Sequence, residues 1–335
     1  MVGASAGGME ALQRLVEGLP RDFPASLFVV WHLSPGVKSI LPMVLGRSSG
    51  LPAAHPKDGD RIEPGRIYVA PNDHHLLLER GYVRVTRGPK ENRFRPAVDP
   101  LFRSAAYIYG PRAIGVVLTG ALDDGTAGLW AIKLRGGTAI VQDPSDAQQR
   151  SMPLNALDNV DVDYKLPVAG IGPLLARLVR EEAAPAPLVD KRERELLEIE
   201  MRIAGAHDAM EENVIGFGQL SPFTCPECHG VLTLLRDGKL MRYRCHTGHA
   251  FSPNALLSGT TEQIEKRLWD AVRAVDETVM LLNSIGEDYA REGHTSAAEM
   301  CFTKAKEFYE RSQPMREAAI ANEEMSAEDL RSARA

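Results

Sequence analysis

The sequence predicts an α/β protein, with a doubly wound, mostly parallel sheet and helices on both faces. Two observations predict it. Short, unbroken apolar runs at 27–31, 113–119 and 138–142 have the length and composition of strands buried on both sides. Stretches with apolar residues at helical spacing separate them, and strand and helix signals alternating at this interval call for a parallel sheet with crossover helices, a Rossmann-like arrangement. A third observation is the glycine-rich stretch Gly3-Ala4-Ser5-Ala6-Gly7-Gly8, which reads as a tight turn opening a helix with one hydroxyl at its apex.

Taken in order, Met9, Leu12, Leu15, Val16 and Leu19 set a first helix over 8–19, which Pro20 ends. The strand at 27–31 follows, with His32 at its carboxyl end. A second helix is predicted over 39–45 and a strand over 66–70. Leu76 to Leu78 and Tyr82 to Val85 flank Arg80-Gly81 and read as a β-hairpin. Helical spacing returns over 100–109. The strand at 113–119 is the clearest in the chain and runs directly into Gly120-Ala121-Leu122-Asp123-Asp124-Gly125. A helix through Leu129, Ile132 and Leu134 and the strand at 138–142 come next.

At 335 residues the chain has room for two or three domains. A net charge of −6 gives no global basic field, which excludes generic nucleic-acid binding. No apolar run is long enough to span a bilayer, and the start lacks a basic segment followed by an apolar one, so a cytoplasmic setting without membrane insertion is expected. Three of the four cysteines sit close together in a metal-like spacing, which argues against a disulfide framework.

In a parallel sheet the site lies outside the carboxyl ends of the strands. Ser5, His32 and either Asp123 or Asp124 would all emerge on that edge. A hydroxyl, an imidazole and a carboxylate are what acyl transfer requires, as nucleophile, proton carrier and orienting anion. Neither dinucleotide nor P-loop spacing is present, since the glycines fall at 3, 7 and 8 with no lysine after them. The order of the residues excludes an α/β-hydrolase, because no histidine follows Asp124 before His207.

The stretches GASAGG, WHLSPG, RIYVAPNDHH, RPAVDPLFRSAA, VVLTGALDDGTAG and VQDPSDAQQRSMPLNAL occur in this order. In them residues 2–179 resemble the catalytic domain of the chemotaxis protein-glutamate methylesterases, the CheB family. The resemblance implies a nucleophile at Ser5, a base at His32, an acid at Asp124 and backbone oxyanion donors at Ala121 and Ala6. It implies hydrolysis of γ-glutamyl methyl esters on methyl-accepting chemoreceptors, with release of methanol, deamidation of receptor glutamines beside it, and no catalytic cofactor. Ala6 stands where many relatives carry threonine. Relatives also precede the turn with a full strand and commonly with a receiver domain. With only Met1 and Val2 before it, the natural start is expected to lie upstream, without self-switching by phosphorylation.

Residues 1–180 are thus read as the catalytic domain and 181–190, rich in proline and alanine, as a linker. Residues 191–221 are read as a connecting segment whose charged helix over 191–206 places Leu196, Ile199 and Ile203 inward, and that helix is expected to be a solvated connector. Next come Cys225-Pro226-Glu227-Cys228 and Cys245-His246-Thr247-Gly248-His249, two short chelating turns that predict a structural zinc-knuckle domain over 222–258. Cys225, Cys228, Cys245 and His249 are the expected ligands, because His229 and His246 adjoin cysteines and would strain the chelate. A redox C-x-x-C is the competing reading. The adjacent Arg242, Tyr243 and Arg244 suggest a protein-contacting hairpin rather than a nucleic-acid ribbon. Residues 259–335 read as a helical hairpin and tail, with stripes at Leu268, Val272, Val275, Val279, Leu282 and at Cys301, Ala305, Phe308, Ser312, Met315 joined over 286–295. Ser296 and Glu299 form a predicted capping box. The two stripes are expected to pack on each other; the sharper alternative is that the hairpin docks on the receptor or on other chemosensory components. The alternative to an esterase is a non-catalytic, zinc-bearing scaffold in a chemosensory complex.

Overall fold

The computed structural model describes residues 1–33, 36 and 39–322; the predicted WHLSPG stretch lies partly, and the predicted tail wholly, outside the described residues. The chain divides into two compact units, Met1–Leu256 and Leu257–Ala335.

The first unit opens with β1 (Val2–Ala4), α1 (Gly8–Glu17), β2 (Leu27–Trp31), α2 (Leu41–Ser49), β3 (Ala53–Ala54) and β4 (Ile67–Val69). The antiparallel hairpin β5 (His75–Glu79) and β6 (Tyr82–Thr86) forms a separate two-stranded sheet. Then follow α3 (Val98–Tyr109), β7 (Ile114–Val117), α4 (Thr126–Leu134), β8 (Thr138–Gln142), α5 (Ser151–Asn159), β9 (Tyr164–Leu166) and α6 (Val168–Leu178). Seven strands make one sheet in the order β3-β4-β2-β1-β7-β8-β9. The sheet was expected to be mostly parallel; every pairing in it is parallel.

The period-two alternation of side chains divides its core into two layers. Val2, Val29, Ile67, Val69, Val116 and Ile140 pack with α1, α2 and α6, through Leu12, Leu15, Leu41, Leu45 and Ile171. Phe28, Val30, Tyr68, Val117, Ala139 and Val141 pack on the other face against Leu101, Phe102, Leu129, Ile132 and Met152 of α3, α4 and α5. A fully buried leucine such as Leu12 contributes about 1.5–3 kcal/mol, so the strands cannot slip by one residue without exposing both layers. The strand order reverses beside β1, which puts the crevice at the carboxyl ends of β1 and β7.

Beyond residues 181–190, which carry no regular element, comes α7 (Lys191–Ala204). It ends at Ala204 with Gly205 as its cap, two residues short of the expected 206, and the chain then turns through Ala206 in the left-handed region. Nor is it a solvated connector. Leu196, Leu197, Glu200 and Ile203 are buried, and its one buried charge is matched by arginines from elsewhere in the unit. β10 (Gln219–Thr224), β11 (Val231–Asp237), β12 (Leu240–Cys245) and β13 (Ala250–Phe251) form a four-stranded antiparallel sheet. Arg242 and Arg244 of β12, read from sequence as hairpin surface, are buried inside it.

The second unit is formed by α8 (Pro253–Arg291), from Leu257 onward, and α9 (Thr295–Ile320). Arg316 bonds Asp276, and Asn322 Nδ2 donates to the Thr261 carbonyl at 3.4 Å, so the helices run antiparallel. The link between them is shorter than the predicted 286–295: Gly286 lies inside α8, where Phe302 fills the space its missing side chain leaves. The capping box does not form. The turn at Gly293 makes His294 the residue before the helix, so Ser296 falls within the first turn, and no side chain caps it.

Candidate active site

Ser5 follows β1 directly. Its N–H donates to the Thr119 carbonyl at 3.0 Å, and its own carbonyl accepts from Gly8 N–H (2.9 Å) and Trp31 Nε1 (2.8 Å). The turn needs glycine at Gly7, which holds φ +74° and whose added Cβ would meet Gln148 Oε1 at 2.4 Å. Gly120, just past β7, lies against the serine; a Cβ there would come within 2.8 Å of Ser5 Cβ and 2.0 Å of Met152 Sδ. Thr119 Oγ1 donates to the Ala6 carbonyl at 2.9 Å. The Ala6 and Ala121 N–H groups make no hydrogen bond among the described residues.

His32 leaves β2 with its N–H on the Ala4 carbonyl (3.2 Å), which ties it to the strand that carries Ser5. Its ring stacks on Phe94, with centroids 3.8 Å apart and planes within 8°. Nε2 lies 2.8 Å from Asp124 Oδ2. Nδ1 is buried with no hydrogen-bond partner among the described residues. Because the neighbouring carboxylate accepts, the proton belongs on Nε2, which leaves Nδ1 with a lone pair and makes the ring a base. No hydrogen bond joins it to Ser5 among the described residues; hydrogen bonds of this kind commonly tighten only when substrate binds.

Asp124 sits at the start of α3, outside it. Its oxygens accept from Val98 N–H (2.6 Å), Asp99 N–H (3.3 Å), Asn92 Nδ2 (2.9 Å) and Gly125 N–H (3.0 Å), besides His32. Burial alone would raise its pKa, but the His32 bond and charge, then the Val98 N–H and the Asn92 amide, hold it below the usual carboxylate range. Asp99 goes the other way. Burial, and after it the Asp124 charge, push it up to about 8, so one of the two neighbouring carboxyls is ionised at neutral pH and the other is not. Asp123, the other sequence candidate, turns away and accepts from Ser252 Oγ (2.5 Å) and Asn254 Nδ2 (2.9 Å).

The structure thus joins His32 to Asp124 directly and sets Ser5 on the strand between theirs. Sequence reasoning missed Asn92, Phe94 and Asp99. Their one signal was their position in and just before the stretch Arg95–Ala106, since Asn92 and Phe94 belong to an irregular segment with no periodicity. Asn92 adopts φ +50°, a conformation asparagine tolerates better than most residues.

The sulfur atoms of Cys225, Cys228 and Cys245 and a ring nitrogen of His249 all lie within 4.8 Å of one another, and these groups could hold a metal ion. Cys228 Sγ and Cys245 Sγ are 3.6 Å apart, and His249 Nδ1 lies 3.7 Å from Cys245 Sγ and 3.8 Å from Cys225 Sγ. A tetrahedral zinc with ordinary bond lengths has edges of about 3.5–3.8 Å, so this donor set fits it. Beside it, Glu200 of α7 and Glu91 meet three guanidinium groups. Arg242 Nη2 lies 2.7 Å from Glu200, Arg244 Nη2 lies 2.9 Å from both Glu200 and Glu91, and Arg103 bonds Glu91. Burial opposes ionisation of both glutamates, yet the arginines hold their pKa values below the usual range, led by Arg103 at Glu91 and by Arg242 at Glu200.

Among the described residues, no helix is long and apolar enough to cross a membrane. The family model described as CheB methylesterase matches residues 1–175. An Anaeromyxobacter dehalogenans protein named protein-glutamate methylesterase/protein-glutamine glutaminase 2 is 41% identical over 180 residues, 54% of this chain and 53% of the relative. A Thermotoga maritima protein named protein-glutamate methylesterase/protein-glutamine glutaminase is 37% identical over 183 residues, 53% of each. The chain spans about half the length of these relatives. A Leptospira interrogans relative is 35% identical over 179 residues, 93% of its own length. The crystal structure of the Thermotoga maritima CheB methylesterase catalytic domain superposes with a TM-score of 0.51 at 37% identity, covering 53% of this chain and 96% of that one. The family match ends before α7 and the Cys/His segment.

Proposed function

Since this chain belongs to the CheB methylesterase family, we propose that it hydrolyses glutamate γ-methyl esters on methyl-accepting chemoreceptors, releasing methanol, with receptor glutamines as a second substrate. Ser5 attacks the ester carbonyl while His32 Nδ1 takes its proton. Asp124 holds the imidazole in the tautomer that leaves this nitrogen basic and stabilises the imidazolium that forms. The tetrahedral oxyanion rests on the Ala6 and Ala121 N–H groups, and the histidine then protonates the departing methoxide. Water, activated the same way, releases glutamate from the acyl-enzyme.

The observation that carries this reading is the buried His32, whose Nε2 is committed to Asp124 while Nδ1 has no partner among the described residues. A histidine with a purely structural part in the core would have both nitrogens satisfied. The test is methanol release from methylated receptor membranes by wild type and Ser5→Ala. The variant should fold normally and turn over ~10⁴-fold more slowly. Wild-type turnover by Ser5→Ala would sink the assignment, and binding without turnover by the wild type would favour the scaffold.

Cys225, Cys228, Cys245 and His249 hold a structural zinc in this reading, because four protein ligands leave the ion no open position. One zinc per chain by metal analysis, lost on substituting any of the four, is the expected result. The helices of the second unit serve as the contact with the receptor or another chemosensory component, in the cytoplasm where the methylated helices lie.

A further inference from the structure

The Cys/His segment is joined to the candidate site by backbone. β13 begins one residue after His249 and pairs with the segment leading into α3: Ala250 N–H donates to the Lys90 carbonyl (3.2 Å) and Asn92 N–H to the Ala250 carbonyl (2.8 Å). Two residues on, Ser252 N–H donates to Asn92 Oδ1 at 2.9 Å. A side-chain amide has the same shape when turned over, so its neighbours decide its direction. With Oδ1 held by Ser252, Nδ2 faces the site and donates to Asp124 Oδ1 and to Asp99 Oδ2, each at 2.9 Å. Ser252 Oγ and Asn254 hold Asp123, the residue next to Asp124, from the same side.

We propose that Asn92 is a positioning residue for Asp124, and that the segment from His249 to Ser252 fixes its direction, so that the state of the metal site is felt at the catalytic carboxylate. This rests on the roles given above to Ser5, His32 and Asp124. If the segment loosens, Asn92 loses the donor that orients it. Its amide can then turn its oxygen toward Asp124, replacing a donor with a repulsion. The carboxylate shifts, and with it the imidazole that it aims. A misplacement of this order costs up to ~100-fold in rate without touching substrate binding.

The experiment uses the full chain, zinc-loaded and stripped with a chelator, together with Asn92→Ala, Cys228→Ser and Ser5→Ala. Far-UV circular dichroism checks the fold, the downfield imidazole N–H resonance of His32 reports its bond to Asp124, and methanol release gives kcat and KM. Stripped protein, Cys228→Ser and Asn92→Ala should lose or broaden that resonance while the sheet stays folded, with kcat ~10- to 100-fold lower and KM within about twofold. Retention of both the resonance and kcat by Asn92→Ala overturns the positioning role. Retention of both by stripped protein and by Cys228→Ser, which keeps three of the four ligands, overturns the link to the metal site. Should Ser5→Ala itself turn over normally, the underlying esterase reading fails instead.

Discussion

Asp124 and Glu200 are both about 1% exposed and lie in the same compact unit, yet their surroundings are opposite in kind. Glu200 lies among guanidinium groups, which stay charged at any pH a protein tolerates, and Glu91 and Asp237 balance them. Around Asp124 there are backbone and amide N–H donors, one imidazole, and a second carboxyl that keeps its proton at neutral pH. Fixed, compensated charge is suited to fastening α7 and β12 onto the sheet domain. A lone anion beside a ring and a protonated acid is suited to moving protons. Residues 91 and 92 are neighbours in sequence, one in each assembly, so the two are built on a single stretch of backbone.

The sharpest way to break this contrast is to neutralise each carboxylate in turn. Asp124→Asn should leave a folded protein whose methanol release falls ~10⁴-fold, because the imidazole loses the anion that fixes its tautomer. Glu200→Gln should instead destabilise by ~3–5 kcal/mol in a denaturant melt, since it leaves buried arginines in excess. Near-normal turnover in the first, or a loss below about 1 kcal/mol in the second, would erase the distinction.

These two regions also differ in how far the sequence reveals them. The strands that lead to His32 and Asp124 are legible as unbroken apolar runs, because a strand buried on both faces has no polar side to interrupt it; Ser5 is legible instead from the glycine-rich turn after β1, a strand of three residues that is too short to show a pattern. The Cys/His set is legible because chelation is local: Cys225 and Cys228, and Cys245 and His249, sit within one turn of each other whatever surrounds them. Glu200 is not legible, for a charge in the middle of an apolar stripe reads as solvent-facing until its arginines, about forty and a hundred residues away, are known to meet it. Asn92 is hidden for the same reason, since its partners Asp124 and Ser252 are long-range and its own segment is irregular. The short strands β3 and β9 carry too few residues to show a pattern, and α6 contains Pro173, which argues against a helix.

A smaller effect sharpens the proton-exchange half of the contrast. Burial pushes folded Asp99 up to about 8, whereas the unfolded chain releases the proton at the ordinary aspartate value of 3.8. Between those values the native state binds more protons, so this residue makes stability fall as pH rises from about 4 to 8. Glu91 and Glu200 act in the opposite sense; with lowered values, their contribution is present above the usual glutamate range and is lost only as pH falls further into acid. The Met1 ammonium, pushed down to about 5 by burial, and the buried His75 act in the opposite sense over this range, so the test is a difference: in urea melts between pH 5 and 8 the slope of stability against pH should be more negative in the wild type than in Asp99→Asn. The slope is the diagnostic quantity, because the asparagine places an N–H against either the Asn92 amide or the Gly128 N–H and lowers stability at every pH. An unchanged slope would mean that Asp99 is ionised at neutral pH and that the two assemblies are electrostatically alike.

The smallest effect separates burial from charge pairing. Arg84 on β6 engages two carboxylates, Asp58 at 2.9 Å and Glu79 at 3.1 Å, and so resembles the buried arginines in its partners. All three side chains, however, are about half exposed. In water the pairing replaces hydration of similar strength and costs the freedom of two long side chains, so Arg84→Ala should change stability by no more than about 1 kcal/mol, and less in high salt. Arg244→Ala, which takes one guanidinium from both Glu91 and Glu200 in a dry interior and leaves the acids in excess there, should cost several times as much in the same melt. If the two losses are equal, exclusion of water is not what gives the Glu200 assembly its strength, and its resemblance to an ordinary surface network would be complete.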